Sequence, residues 1–118
     1  MDKLKEHGGS IDVKAMPKEC RKQMAVLGEN IRLARVRRKI RQEDMANRIA
    51  ISVKTYRKIE NGDPAVAVGL YLSALSMLGL SRDFSSLADP ANDPVGLSME
   101  RMRMPERIRL KKDKELDF

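Results

Sequence analysis

Residues 30–62 read NIRLARVRRKIRQEDMANRIAISVKTYRKIENG, and the rest of the chain is best understood outward from them. The stretch holds ten Lys/Arg against three Asp/Glu. Residues 1–29 hold six against five, and residues 63–118 hold eight against nine. The net charge of +7 therefore sits in the central third of the 118-residue chain. A charge excess confined to one segment points to a surface for a polyanion. The plain alternative is a solvated basic face.

The stretch breaks into helices at predictable places. Gln42 opens a helix with Met45, Ala46 and Ile49 on its inner face, ending near Ala50. Ser52 has the short side-chain oxygen that caps a helix start, and the next helix runs from Val53 to Asn61. Tyr56 and Ile59 point inward from it, which leaves Val53, Lys54, Arg57 and Lys58 on the outward side. Gly62 closes this helix in a left-handed conformation, and Asp63-Pro64 begins a loop.

Working outward, Pro17 suits a first helical turn. Cys20, Met24, Leu27, Ile31 and Ala34 then recur at spacings of four and three, one apolar stripe that runs to about Arg38. Gly28 weakens that helix and is the expected start of the folded domain. On the other side, a fourth helix spans Ala67 to Leu78, carrying Val68, Tyr71, Leu72, Leu75 and Leu78, and Gly79 ends it. Ser81 caps a short fifth helix through Leu87, with Phe84 on its apolar side. Asp89-Pro90 and Asp93-Pro94 read as a linker, and residues 95–104 as a further short helix broken by Pro105. The expected architecture is all-α: a compact five-helix bundle with a flexible N-terminal tail and a C-terminal appendage. The tail covers residues 1–16, the bundle 17–88, and the linker with its appendage 89–118.

Other function classes have little to stand on. Cys20 is the single cysteine, so no intrachain disulfide can form. His7 is the single histidine, in a Gly-flanked tail. Neither a metal site nor a histidine-based catalytic set is expected, and no paired carboxylates or Gly-rich phosphate loop point to an enzyme or a cofactor. No signal peptide or apolar run near 18 residues is visible, so the expectation is a cytoplasmic, nucleoid-associated protein with no membrane partner.

Arg35, the Gln42 opening, Met45-Ala46, Ser52, Thr55, Ile59-Glu60-Asn61-Gly62 and the later Leu78-Gly79-Leu80 together resemble the XRE family of phage-repressor-like helix-turn-helix proteins. The resemblance covers roughly residues 27–80. It departs at Ala50, where the family often has a small turn residue leading into Gly, and at the variable Arg57-Lys58. It implies that the Val53–Asn61 helix enters the DNA major groove while the helix before it crosses the backbone. A helix of that length is roughly 15 Å long, which suits the groove. Lys54, Arg57 and Lys58 are the expected base readers, donating to guanine O6 and N7, with Val53 against a thymine methyl. Lys39, Arg41, Gln42 and Ser52 are expected on phosphates. The resemblance adds Asn61 to that set and makes Arg35 and Glu60 a partly buried structural ion pair.

One helix-turn-helix reads one half-site, so a homodimer on a palindromic double-stranded DNA operator is expected. The surfaces available for a dimer or partner contact carry Phe84, Leu87, Met99, Met102 and Met104. The stretch LADPANDPVGLSMERMRMPERIR looks like the appendages of HipB-like antitoxins, which pair with a HipA-like kinase toxin and repress their own operon. The expected function is thus a sequence-specific repressor of that kind. The alternatives are a stand-alone phage-type repressor, or a coactivator module that uses the same fold to contact proteins.

Overall fold

The first helix is set by its apolar stripe: α1 spans Lys18–Arg37 and buries Gly28, Ile31 and Ala34, with Met24 and Leu27 packed at the margin. α2 (Gln42–Arg48) buries Met45 and Ala46. α3 (Val53–Glu60) starts on Ser52, whose Oγ accepts the Thr55 backbone N–H at 3.1 Å. α4 (Val68–Met77) buries Tyr71 and Ala74, and Leu78 just beyond it is buried too. In this computed structural model the described residues are 11–103. They are all-α: five α-helices, three short 3-10 turns and no strand.

All four of these helices end in the same way. At each end one N–H bonds back three residues and the next bonds back five: Lys39 to Val36 and Ile40 to Arg35, Ala50 to Asn47 and Ile51 to Ala46. Gly62 to Ile59 with Asp63 to Lys58, and Gly79 to Ser76 with Leu80 to Leu75, repeat the pattern. This Schellman arrangement needs a left-handed residue at the turn. Lys39 and Ala50 adopt it at φ 55° and 59°. The sharp turn between α2 and α3 therefore hangs on an alanine in a conformation that costs an L-residue about 1–2 kcal/mol.

The core joins Ile31 and Ala34 to Met45 and Ala46, Tyr56 and Ile59, and Tyr71, Ala74 and Leu78. α1 and α2 both pack on α3, and α4 packs on α2. Gly28 is a central part of this packing and does not mark the start of the domain. A Cβ there would lie 2.5 Å from the Glu60 carbonyl oxygen and 2.6 Å from the Gly62 nitrogen. Gly62, at φ 71°, has the α1 backbone at Met24 and Ala25 against it in turn. The two glycines let the middle of α1 lie directly on the end of α3.

Three expectations shift. Val68 is 65% exposed, because the buried stripe of α4 is Tyr71, Ala74 and Leu78, rotated toward the small Ala74. The expected fifth helix is a five-residue 3-10 turn, Arg82–Ser86. Ser86 Oγ bonds back to the Asp83 carbonyl at 2.7 Å, and Ala88 at φ 60° precedes Asp89-Pro90, so no second turn can follow. Of the expected tail, residues 11–16 form a 3-10 turn, Val13–Ala15, capped by Asp12 on the Lys14 N–H. Residues 1–10 lie outside the described residues.

The chain divides into two compact units, one up to Arg82 and one from Asp83. Phe84 and Leu87 thus belong with the second. There Asp89 caps the 3-10 turn Pro90–Asn92, and Asp93 Oδ1 accepts the Gly96 N–H at 3.0 Å. α5 (Pro94–Arg103) follows, with Val95, Met99 and Met102 exposed. Met104 and the KKDKELDF end lie outside the described residues. No helix among the described residues is long and apolar enough to cross a membrane.

Candidate nucleic-acid interface

Successive residues of a helix turn by 100°, so Lys54, Arg57, Lys58 and Asn61 occupy one side of α3, opposite Tyr56 and Ile59. All four are exposed. No carboxylate among the described residues forms an ion pair with Lys54, Arg57 or Lys58. Three basic side chains thus face outward on a single short helix, with no ion-pairing acid among the described residues. That arrangement suits a polyanion.

Val53 is a correction. The same rotation places it between Glu60 and Arg57, at the border between the inner face and the basic side, and it is half-buried against the core. It flanks Arg57 at the edge of the outward set and is less exposed than Lys54, Arg57 and Lys58.

Behind the basic face lies a polar hub. Glu60 is buried, its side chain 3% exposed, and it accepts four hydrogen bonds. Arg35 Nε donates to Oε2 at 2.6 Å and Arg35 Nη2 to Oε1 at 3.1 Å. Tyr56 Oη donates to Oε2 at 2.5 Å, and Gln42 Nε2 to Oε1 at 3.0 Å. Arg35 Nη1 also donates to the Ile40 carbonyl at 2.8 Å, in the turn between α1 and α2. One carboxylate therefore ties α1, α2 and α3 together, with two donors on each oxygen. Burial pushes the Glu60 carboxyl up, but the bonds from Arg35, Tyr56 and Gln42 outweigh it and hold it below its ordinary value. Burial, with the carboxylate beside it, pushes the Tyr56 phenol up.

The expected phosphate contacts are spread along this scaffold. Lys39 is exposed at the left-handed turn after α1. Arg41 is the residue before α2, and its exposed guanidinium pairs with Asp44 at 3.2 Å. Ser52 is the cap of α3, and its Oγ also donates to the Thr55 hydroxyl. Asn61 follows the last turn of α3. Gln42 opens α2 with both ends of its side-chain amide bonded within the chain. Its amide donates to Glu60, and its oxygen accepts from Arg57 Nε at 3.2 Å.

Tyr56 and Gln42 are the hub members that the sequence did not assign. The four-residue spacing of Tyr56 and Glu60 was a usable signal, since such residues are neighbours on a helix. Gln42 lies 18 residues from Glu60, and nothing in the sequence fixes the angle between their helices.

A family model described as a helix-turn-helix domain matches residues 26–84, half of the chain. No curated protein and no solved structure matches. The matched span takes in most of α1, all of α2, α3 and α4, the hub and the basic face.

Proposed function

The chain belongs to the helix-turn-helix domain family, and from that premise we propose that it is a sequence-specific DNA-binding repressor that reads the major groove with α3. The observation that carries this is the stripe of Lys54, Arg57 and Lys58, exposed, without acidic partners among the described residues and mounted on a helix that Glu60 fixes from behind. Phosphate affinity comes from the surrounding cations, including Lys39 and Arg41, and discrimination from the side chains that reach base edges. The protein acts in the cytoplasm, on the nucleoid.

Two copies bind a palindromic operator, each placing one α3 in one half-site. The narrower assignment is the antitoxin and autorepressor of an operon with a HipA-like kinase toxin. It rests on the resemblance of residues 87–109 and on the exposed apolar side chains of α5. Co-purification of such a kinase with the full chain tests it, and a failure to associate at micromolar concentrations overturns it.

The DNA-binding reading is tested by selecting duplexes from a random pool and titrating salt. Log K should fall linearly with log salt, at about −0.9 per phosphate neutralised, and a scrambled duplex should bind more weakly. A flat salt dependence together with equal affinity for selected and scrambled duplexes overturns it.

A further inference from the structure

The two bonds of Gln42 fix the orientation of its amide. Glu60 can only accept, so the Gln42 NH2 group must face it, as it does at 3.0 Å. The carbonyl oxygen is then left facing Arg57 Nε at 3.2 Å, where a donor is required. The opposite orientation would set oxygen against carboxylate and NH2 against guanidinium, losing both bonds. Buried Glu60 thus dictates which atom of an α2 side chain meets an exposed α3 arginine.

The consequence falls on Arg57. Its Nε is held, and a guanidinium is planar, so fixing Nε restricts where Nη1 and Nη2 can point. Those two nitrogens form the pair that matches guanine O6 and N7. Lys54 and Lys58, on the same face, have no side-chain acceptor among the described residues, and each ends in a rotatable point charge. Among the three cations of α3, Arg57 is the one whose direction is set before any ligand arrives.

We propose that Gln42 is a positioning residue that presents Arg57 to a guanine in the major groove, and that this pair sets a G·C preference in each half-site. This rests on the DNA-reading function proposed above. It differs from a phosphate-clamping Gln42, which would add affinity for every sequence and selectivity for none.

The test uses the full chain, with duplexes selected from a random pool by the wild type. Binding is then measured against single-base variants and a scrambled duplex across a salt series. The wild type should show a G·C pair whose replacement weakens binding roughly 5- to 150-fold. Arg57→Ala should abolish that preference. Gln42→Ala should remove most of it with the salt slope unchanged, and should remove nothing further in an Arg57→Ala background. Arg57→Lys, which leaves the hub untouched and keeps the charge, should also lose the preference, so the test stands even if Gln42→Ala unfolds.

The proposal is overturned if Gln42→Ala weakens all duplexes alike with the slope reduced by about 0.9, since that is the signature of a lost phosphate contact. It is overturned equally if Arg57→Lys keeps the preference, or if the two alanine effects add. A wild type with no preference among duplexes would instead remove the DNA-reading function beneath it, and that outcome is visible before any variant is made.

Discussion

Glu60 carries more of the structure than its single charge implies. Its partner Arg35 is 12% exposed, and both are committed to the hub. Removing one member of such a pair leaves the other charged and poorly solvated, which typically costs about 3–5 kcal/mol. Glu60→Ala should therefore lower the melting temperature by roughly 12–40 °C for a domain of this size, and an unchanged melting curve would show that Arg35 finds water instead. The pH dependence has a definite sign. The folded-state carboxyl lies below its ordinary value of 4.5, so its contribution is fully present above about that pH. It is lost as pH falls through the folded-state value. Urea unfolding of wild type and Glu60→Gln should show a gap that is widest near neutrality and closes in acid; a constant gap would contradict this. The Arg35–Glu60 pair was reached from sequence only through a family resemblance. The direction of the Gln42 amide was not reachable at all, because it follows from a buried acceptor on another helix.

The helix ends and the helix crossing have separate weak points. Ala50 holds the turn between α2 and α3 at φ 59°. Glycine there would relieve about 1–2 kcal/mol of left-handed strain and give back about 0.4–1 through the freer unfolded chain. Ala50→Gly should thus stabilise by up to about 1.6 kcal/mol in chemical unfolding, and a destabilisation would mean that the alanine methyl has contacts that outweigh the strain. Gly28→Ala tests the crossing in the opposite direction. Helix propensity favours alanine by about 1 kcal/mol. The added Cβ, however, meets backbone atoms of Ile59, Glu60 and Gly62 that cannot swing aside. Overpacking costs roughly 1–3 kcal/mol, and here the end of α3 would move, so both stability and duplex affinity should fall. Retention of both would refute the close crossing. Apolar periodicity placed α1 to α4 within a residue or two of their observed ends. It misjudged Gly28 and Ala74 for a common reason. Neither has a side chain large enough to register in a hydrophobic stripe, yet close helix contacts are made where side chains are smallest. Val53 is less exposed than its place at a helix start suggested, because its rotation about the axis puts it at the border of the core.

At the scale of the whole molecule, charge and apolar surface are segregated along the chain. The excess positive charge belongs to residues 30–62, while α5 carries Val95, Met99 at 49% and Met102 at 79% exposure, spaced four and three apart. That spacing forms one stripe on a helix and is the repeat used when two helices pack side by side. The sequence already showed the segregation, but the spacing of a stripe does not name what packs against it. If a second copy covers it, two basic faces act on one operator. A dimer that neutralises Z phosphates per half-site should give a salt slope of about −0.9 for each of 2Z contacts, whereas one copy on one half-site gives half of that. Replacing Met99 and Met102 together by Ser removes apolar contact area without altering charge, so the electrostatics of each half-site stay the same. The double variant should keep the melting temperature of the helix-turn-helix unit and sediment as a single chain. On the full palindrome its salt slope should drop to the value that wild type shows on an isolated half-site, with the base preferences of that half-site intact. If instead the variant still sediments as a dimer with the full slope, the two copies meet through some surface other than α5.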